Sequence, residues 1–478
     1  MVRTRFAPSP TGYMHIGNLR TALYAYLIAK SQRGAFILRI EDTDRERYME
    51  TAVSVIFSSL ESAGLKWDEG PGVGGAYGPY TQSERMGEYV RWAEALVEKG
   101  MAYYCFCDKD RLKTSREQNA QSGYDGRCRS IDRNEAAERV KRGEPHVVRQ
   151  LIPEGVSVFH DAVYGDITID NAELEDQTLL KSDGMPTYNF ANVIDDHLMN
   201  ITHVVRGAEY LSSTPKYNLL YDAFGWRKPI YIHLPHILDE AGEKLSKRDG
   251  SASFQDLLDM GFLPEAVLNY IALLGWSPRE NKEFFTLDEL VEAFDINGLS
   301  KAPAIFDAVK LKWMNGEYIK KMPPEVFYAL ARPYLENTVT REGVDLKTLA
   351  EMMRTRVEFV KDCAEPLDFI DRLPDYSAEL YRHKKMKTDE KNSLISLESV
   401  VAELEAIDDW SENAVHEALI TLAEKLGVKN GRILWPARVA LSGKQSTPCG
   451  ATEILALLGK EESLRRLKIG VDKLRVCP

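Results

Sequence analysis

The sequence predicts a multi-domain α/β protein that begins with a parallel sheet and ends in an all-helical region. Its 478 residues exceed what one domain usually holds, and about three or four domains are expected. The first part of the chain follows a strand–helix–strand pattern, which is how a nucleotide-binding parallel sheet opens. Beyond about residue 255 the apolar residues recur mainly at helical spacing, among many Leu, Ala, Glu and Lys.

The composition is that of an ordinary globular protein, with 44% hydrophobic and 28% charged residues. No stretch approaches the roughly 20 apolar residues that a membrane span needs, and the N-terminus resembles no targeting signal. We therefore expect a cytoplasmic location and no membrane partner. The six cysteines do not predict a disulfide framework.

The net charge of −12 does not favour a nucleic-acid partner, but binding depends on local basic surfaces rather than on net charge. Such surfaces are more often simply solvated faces. The runs dense in cations are residues 139–142, 382–387 and 465–468.

The spacing of apolar residues predicts alternating strands and helices over the first 63 residues. Residues 2–7 alternate like a strand, and the two prolines and the glycine of residues 8–12 predict a turn. A helix is predicted from Ile16 up to Gly34, followed by a compact apolar strand and a second amphipathic helix. Those two elements are assigned to residues 35–40 and 50–63.

The pattern breaks near Cys105, which predicts an α+β insertion into the sheet. A polar loop, a charged helix and strand-like runs follow one another before the sheet resumes around residues 187–250. The helical tail at residues 452–467 reads as a pair of short amphipathic helices. The helix and strand of the insertion are assigned to residues 131–142 and 155–159, and the later strands to residues 201–205 and 230–234.

His15, Gly17 and Asn18 lie between the end of the first strand and the start of the first helix. A helix N-terminus offers free N–H groups and favours a phosphate. Gly17 would let a nucleotide approach the backbone, and His15 could donate a hydrogen bond to a phosphate oxygen. The alternative is a histidine that caps the helix beside a glycine needed for packing.

A second candidate phosphate site is the loop at residues 243–250, EKLSKRDG. Lys244, Lys247 and Arg248 place three cations within five residues, which suits a mobile clamp on a polyphosphate. The alternative is a solvated surface loop.

Taken together, these two elements resemble the two defining motifs of class I aminoacyl-tRNA synthetases. The sequences RFAPSPTG at residues 5–12 and RIEDTDR at residues 39–45 are similar to those of bacterial-type glutamyl-tRNA synthetases. The resemblance continues through residues 179–210 and covers essentially the whole chain. Three positions depart from the general class I motifs: Asn18 replaces His, Leu245 replaces Met and Arg248 replaces Ser, and the last two changes are usual in glutamyl enzymes.

The resemblance implies a Rossmann-like catalytic domain that binds glutamate and ATP with Mg²⁺ and charges tRNA(Glu), usually as a monomer. Many bacterial-type enzymes also charge tRNA(Gln) with glutamate, so tRNA(Gln) is a second candidate partner. Arginines suit a substrate with two carboxylates, and a carboxylate suits its ammonium group. The residues implied for glutamate are Arg5, Ser9, Glu41, Tyr188, Asn192 and Arg206. Those implied for ATP are Ala7, His15, Gly17, Glu209, Lys244 and Lys247, with His15 and Lys247 catalytic.

The domain bounds expected from the resemblance follow the breaks in pattern. They are 1–104 for the first half of the catalytic domain, 105–186 for the inserted domain that binds the tRNA acceptor end, 187–254 for the second half, 255–325 for a helical stem-contact domain and 326–478 for helical anticodon-binding domains. In the last of these, Arg356 is similar to an arginine that reads the final anticodon base. Trp435 and Arg438 could contact anticodon bases, although a buried tryptophan is the simpler interpretation.

Cys105, Cys107 and Cys128 cluster at the start of the insertion at a density typical of a structural zinc site, which needs four ligands. In some relatives a tyrosine four residues before the last cysteine completes the set, and Tyr124 matches it. In others a histidine follows two residues after that cysteine, where this chain has Ser130. Three reduced thiols without a metal are the alternative.

Three other functions remain open at the level of sequence. Glutaminyl-tRNA synthetases typically differ at residues 8–10 and 41–44. A truncated paralogue that glutamylates a modified anticodon base lacks a helical anticodon domain. A silent tRNA-binding protein would not be expected to retain all of four residues: Arg5, His15, Glu41 and Lys247.

Overall fold

The computed structural model describes residues 1–44, 47, 49–118, 124–243, 245 and 253–476. The chain forms two units, Met1–Ala308 and Val309–Pro478. Lys244, Lys247 and Arg248, predicted to bind phosphate, lie outside the described residues.

The first unit contains all the β-strands of the described chain together with ten helices. Its strands are β1 (Arg3–Phe6), β2 (Ala35–Leu38), β3 (Ala102–Cys105), β4 (Val147–Gln150), β5 (Val156–Asp161), β6 (Gly165–Asp170), β7 (Thr178–Leu180), β8 (His203–Gly207), β9 (Ile230–Leu234), β10 (Ile237–Leu238) and β11 (Ala304–Ile305). Its helices are α1 (Ile16–Ser31), α2 (Glu50–Ser62), α3 (Met86–Lys99), α4 (Lys109–Gln118), α5 (Arg133–Lys141), α6 (Tyr188–Leu198), α7 (Thr214–Phe224), α8 (Phe254–Met260), α9 (Pro264–Leu273) and α10 (Leu287–Ala293).

Helix α1 follows β1 directly because the chain supplies both of its ends. His15 caps the N-terminus, where its Nδ1 accepts a hydrogen bond from the backbone N–H of Gly17 at 3.1 Å. Beyond the last turn, Gly34 N–H donates to Ala29 O at 2.7 Å. A Cβ on Gly34 would lie 2.2 Å from the carbonyl oxygen of Val2, so only glycine allows β1 and β2 to approach at this point.

Strands β1, β2, β8 and β9 form the centre of what we call the catalytic-type sheet, and they pair in parallel, β1 with β2 and β8 with β9. The two pairs meet where Thr202 N–H donates to Arg3 O at 2.9 Å, just before β8 begins. The carboxyl ends of these strands therefore share one edge of the sheet, where ligands bind in open α/β folds.

The segment predicted as an insertion contributes to two sheets. Strands β3, β4 and β7 form a separate antiparallel sheet, which packs on α3, α6 and α7. The β5–β6 hairpin instead extends the catalytic-type sheet, because Asp161 at the end of β5 pairs in parallel with Tyr231 of β9. The insertion is thus tied to the strands that carry the ligand-binding edge.

The described elements of the second unit are helices. They are α11 (Ala308–Lys321), α12 (Pro324–Thr338), α13 (Leu346–Arg354), α14 (Glu390–Glu405), α15 (Glu412–Lys425), α16 (Gly431–Ser442) and α17 (Ala451–Arg475). Helix α17 is interrupted at Gly459, whose φ of 74° and ψ of 168° are not helical. The pair of short helices predicted for the tail is therefore present, on either side of this glycine.

A buried arginine organises the packing of α17. Arg466 is fully buried, pairs with Glu462 at 2.5 Å and donates to the carbonyl oxygens of Phe369, Ile370 and Leu441. Its neighbours Arg465 and Lys468 pair with Glu462 and Glu405. Within the cation-dense run 465–468, Arg466 is therefore an internal residue, whereas Arg465 and Lys468 are exposed and form ion pairs at the surface.

Within the described residues, no helix is both long and apolar enough to cross a bilayer.

Candidate active site

A cavity of about 550 Å³ opens at the carboxyl ends of β1, β8 and β9. It brings together most residues that the sequence predicts for substrate binding. Those lining it are Arg5, Ala7, Ser9, His15, Gly17, Tyr188, Arg206 and Glu209. Glu41 and Asn192 are buried and are not among the described residues that line it.

A network of buried charges supports the floor of the cavity. Arg39, at the end of β2, is fully buried and pairs with Glu41 at 2.8 Å and with Asp196 at 2.7 Å. Asp196, on α6, also pairs with Arg5 at 3.1 Å. Buried charges persist only when they are paired and hydrogen-bonded, so these contacts fix β1, β2 and α6 relative to one another.

The electrostatic state of this network follows from its composition. Although burial opposes it, Asp196 raises the pKa of Arg5, so the guanidinium stays charged. Burial favours the neutral form of Asp196, but Arg5 and Arg39 outweigh it and lower the pKa of that carboxyl.

Glu41 is the exception within this network. Its Oε1 accepts from Arg39, whereas its buried Oε2 has no hydrogen-bond partner among the described residues. Burial raises the pKa of Glu41 to about 7, although Arg39 opposes the shift. A buried carboxylate oxygen without a donor is costly, and a cationic ligand group would satisfy it.

Arg206 differs from Arg5 in its partners. Its side chain is buried, with Nε donating to Nε2 of His233 at 3.1 Å and Nη2 donating to Oγ1 of Thr214 at 2.7 Å. Both acceptors are uncharged in this arrangement, and among the described residues no carboxylate lies within ion-pair distance. A buried cation without a counter-ion at a cavity wall favours an anionic ligand.

The polar residues around the two arginines are held by short-range contacts. Asn192 donates from Nδ2 to the carbonyl oxygen of Tyr188 at 2.8 Å, one helical turn earlier on α6. The ring of Tyr188 packs against that of Tyr210, with centroids 5.5 Å apart. Burial raises the pKa of Tyr188 well above its usual value, so its hydroxyl remains a hydrogen-bond donor.

The side of the cavity predicted to take phosphate is formed by the N-terminus of α1. Because Nδ1 of His15 accepts from Gly17, the proton of the neutral ring resides on Nε2, which is the nitrogen able to donate. The capping interpretation and the phosphate interpretation of His15 are therefore compatible. Asn18 is exposed within the first turn, and the carboxylate of Glu209 lies 4.0 Å from Nδ1 of His236.

The cysteine cluster forms a compact site at the end of β3. The sulfur atoms of Cys105, Cys107 and Cys128 all lie within 4.8 Å of one another. The hydroxyl of Tyr124 is 3.4 Å from Sγ of Cys105, which brings the fourth predicted ligand to the cluster. The guanidinium of Arg149 lies 4.0 Å from the centre of the Tyr124 ring, where it can offset the negative charge of thiolates.

In the second unit, Arg356 lies at a depression of about 610 Å³ that also includes Trp313, Lys320 and Thr447. The side chain of Arg356 is exposed, and Nη1 donates to the carbonyl oxygen of Met352.

Trp435 does not have the exposure that base stacking requires. It is 7% exposed, donates to the carbonyl oxygen of Leu380 at 3.1 Å and is covered by His383 and Arg438. The simpler interpretation as a buried core residue therefore fits it better.

Several residues of the site carry no recognisable sequence signal for their role. The sequence shows Asp196 and His233 only within a longer motif and a strand, and it gives Asp161 and Thr214 no distinguishing pattern. The available signal is a charged residue inside an apolar run, as in FANVIDDHL at residues 190–198, because such a residue is buried only with a partner.

Comparison with protein families agrees with the division of the chain into two units, Met1–Ala308 and Val309–Pro478. The profile for tRNA synthetases class I (E and Q), catalytic domain, matches residues 1–313, and the profile for an anticodon binding domain matches residues 326–471.

Comparison with individual proteins gives matches along the full chain. The glutamate–tRNA ligase of Clostridium novyi is 57% identical over 478 residues, which cover 99% of this chain and 98% of the relative. That of Clostridium acetobutylicum is 56% identical, with 99% of both chains covered. A crystal structure of a glutamate tRNA ligase from Elizabethkingia meningosepticum in complex with its amino acid has a TM-score of 0.89 at 36% identity and covers 99% of both chains.

Replacement of Glu41 by Gln should change how stability depends on pH. A carboxyl whose pKa rises from 4.5 to about 7 on folding stabilises the folded state below pH 4.5, and this contribution is lost as the pH rises through 7. When the pH is raised from 5.5 to 8, the unfolding free energy of the parent should therefore fall by of order 1–3 kcal/mol. Glu41→Gln should not show this fall, because its amide does not titrate. Urea unfolding at both pH values measures this difference.

Glu61→Gln on the exposed face of α2 is the matched control and should follow the parent at both pH values. An unchanged pH dependence in Glu41→Gln would contradict the assignment of a raised pKa to Glu41.

Proposed function

Since this chain belongs to the class I tRNA synthetases of the glutamate and glutamine type, we propose that it is the enzyme that charges tRNA with glutamate. Its curated relatives at 55–57% identity are glutamate–tRNA ligases, and they match along the full chain. The observation that favours glutamate as the substrate is the environment of Arg206. Its buried guanidinium lies at the cavity wall, and its partners among the described residues, His233 and Thr214, are neutral.

Selectivity for glutamate follows from that unpaired charge. The side-chain carboxylate of glutamate would neutralise Arg206, whereas the amide of glutamine would leave a desolvated cation without a counter-ion. Arg5 is already paired with Asp196 and has Nη2 without a partner among the described residues, so it can bind a second carboxylate group. Glu41 would accept the substrate ammonium through Oε2, and Ser9, Tyr188 and Asn192 would complete the site.

In the reaction, the α-carboxylate of glutamate attacks the α-phosphate of ATP, which gives glutamyl-adenylate and pyrophosphate. The terminal 2′-hydroxyl of the tRNA then attacks the acyl carbon and AMP leaves. A carboxylate is already nucleophilic at neutral pH, so the protein acts mainly by positioning and by stabilising charge.

The nucleotide would lie along the N-terminus of α1 and the ends of β8 and β9. His15 would donate from Nε2 to a phosphate oxygen, with Gly17 and Ala7 allowing the backbone to approach. Glu209 would contact the adenosine. Lys244 and Lys247, which lie outside the described residues, would bind the phosphates, where Mg²⁺ would accompany ATP as a counter-ion. The roles of these two lysines rest on their sequence motif.

The proposed partner is tRNA(Glu), bound by an enzyme that acts as a monomer in the cytoplasm. The predicted division into an acceptor-binding domain at 105–186, a stem-contact domain at 255–325 and anticodon-binding domains from 326 onward is part of this proposal. Charging of tRNA(Gln) with glutamate is a second activity that the same assay would detect.

Exchange of pyrophosphate into ATP tests the function directly. We expect exchange with glutamate, dependent on tRNA, and none with glutamine. Lys247→Ala should slow adenylate formation by about 100- to 1,000-fold, since it removes one preorganised donor from the transition state. Lys228→Ala, a surface lysine paired with Asp222, is the control and should exchange normally.

Exchange with glutamine in place of glutamate would show that the arginine pocket is misassigned. Absence of exchange under every condition would favour the silent tRNA-binding alternative.

We further propose that Cys105, Cys107, Tyr124 and Cys128 hold one structural zinc. The hydrogen bond between Cys105 and Cys128 lowers the pKa of Cys105 and raises that of Cys128, so Cys105 is the thiol that most readily becomes the thiolate that metals bind. The donor set of three sulfurs and one phenolic oxygen is compact, and Arg149 supplies a compensating cation. The metal would brace the end of β3 against the turn at Arg127–Ser130.

Zinc analysis of the purified protein should give about one equivalent per chain. Cys128→Ser should lose most of it and melt at a lower temperature, since structural zinc contributes to folding. Cys363→Ser, a buried cysteine outside the cluster, should keep the metal. A metal-free parent with unchanged stability would instead favour three reduced thiols.

Arg356 is proposed to read the last anticodon base from the depression it shares with Trp313. Loss of a base-reading arginine costs roughly 1–3 kcal/mol, so Arg356→Ala should weaken tRNA(Glu) binding by about 5- to 150-fold. A change of the last anticodon base should weaken binding to the parent but have little further effect on Arg356→Ala. Equilibrium binding measures both.

Arg332→Ala provides the control, because this exposed arginine on α12 pairs with Glu336 outside the depression. If the base change and Arg356→Ala have independent effects, Arg356 does not read that base.

A further inference from the structure

Asp161 and His233 lie side by side beneath Arg206, and both are fully buried. Asp161 ends β5 and His233 belongs to β9, the neighbouring parallel strand. Oδ2 of Asp161 accepts from Nδ1 of His233 at 2.6 Å and from its backbone N–H at 3.2 Å. Oδ1 accepts from the backbone N–H groups of Val163 and Tyr164, both at 2.9 Å.

These contacts determine the tautomer of His233. A guanidinium only donates, so the hydrogen bond from Nε of Arg206 requires a lone pair on Nε2 of the imidazole. The single ring proton is therefore on Nδ1, facing Asp161. Burial lowers the pKa of His233, and Asp161 only partly opposes the shift, so the ring is neutral.

A neutral acceptor orients an arginine without cancelling its charge. If a carboxylate contacted Arg206 directly, as Asp196 contacts Arg5, the charge available to a ligand would be reduced. His233 and Thr214 instead hold Nε and Nη2, which fixes the plane of the guanidinium. The rings of Tyr217 and Tyr231 flank it, 4.6 and 5.2 Å from its central carbon.

We propose that Asp161 and His233 are positioning residues, in which Asp161 selects the His233 tautomer and His233 aims Arg206 at the side-chain carboxylate of glutamate. The inference rests on the proposed function, since it assigns that carboxylate to Arg206. It also gives the β5–β6 hairpin a role, because the inserted segment then supplies the residue that sets the selectivity of the amino-acid pocket.

Asp161→Asn tests the tautomer with almost no change in size. The amide oxygen can still accept from Val163 and Tyr164, but the NH₂ group then faces Nδ1 of His233. The ring proton must move to Nε2, where it opposes the N–H of Arg206. In tRNA charging, KM for glutamate should rise by about tenfold or more, whereas kcat and KM for ATP should change little.

The preference for glutamate over glutamine should fall together with glutamate affinity. Asp166→Asn is the matched control, because Asp166 lies in the same hairpin but is exposed and pairs with exposed His160. An Asp161→Asn protein that folds and has the KM of Asp166→Asn would overturn the proposal.

His233→Gln and His233→Ala give a second, independent test. Oε1 of Gln can occupy the place of Nε2 and accept from Arg206, and Gln has no tautomer for Asp161 to select. Gln should therefore restore most of the glutamate affinity that Ala loses. Adding Asp161→Asn to His233→Gln should have little further effect.

Equal KM values for the Gln and Ala variants, or additive effects in the double variant, would indicate a merely structural pair. The comparison of His233→Gln with His233→Ala still tests the positioning role if Asp161→Asn fails to fold. Failure of the proposed function is distinguishable, because the parent itself would then not charge tRNA with glutamate.

Discussion

The active-site edge of the sheet depends on Arg39, a cation with no access to solvent. Removing such a group from water is costly, and the carboxylates of Glu41, Asp196 and, at 3.9 Å, Asp195 compensate for it. Since Asp196 also binds Arg5, the strands β1 and β2 and the helix α6 can occupy only one mutual arrangement without leaving a buried charge unpaired. The walls of the cavity follow from that arrangement.

The two arginines of the pocket show how neighbouring residues control one kind of side chain. Arg5 is part of a balanced set of charges, so in the proposed function it would offer the ligand mainly directional hydrogen bonds. Arg206 is held by an imidazole and a hydroxyl, and no carboxylate among the described residues pairs with it directly. In the proposed function this second arrangement favours a carboxylate over an amide, because an amide cannot neutralise a desolvated guanidinium.

Much of this could be predicted from the sequence because strand ends and helix starts have local signals. The strand at residues 230–234 and the cap at His15 are where the pattern places them, and the fold class and family are confirmed. Pairing between distant residues has no such signal: Asp161 and Asp196 meet their partners across 72 and 191 residues. Nor does the local sequence distinguish Arg466, a buried arginine that donates to carbonyl oxygens, from the exposed cations beside it.

The distance along the chain between Arg5 and Asp196 also has a consequence for biosynthesis. A ribosome releases the N-terminal strand, with Arg5 and Arg39, long before it releases the aspartate that pairs with both. Until α6 emerges, these cations must stay hydrated, so β1 and β2 cannot bury them as a finished sheet. The catalytic-type sheet should therefore form late during translation, with the slow kinetics typical of long-range parallel pairing.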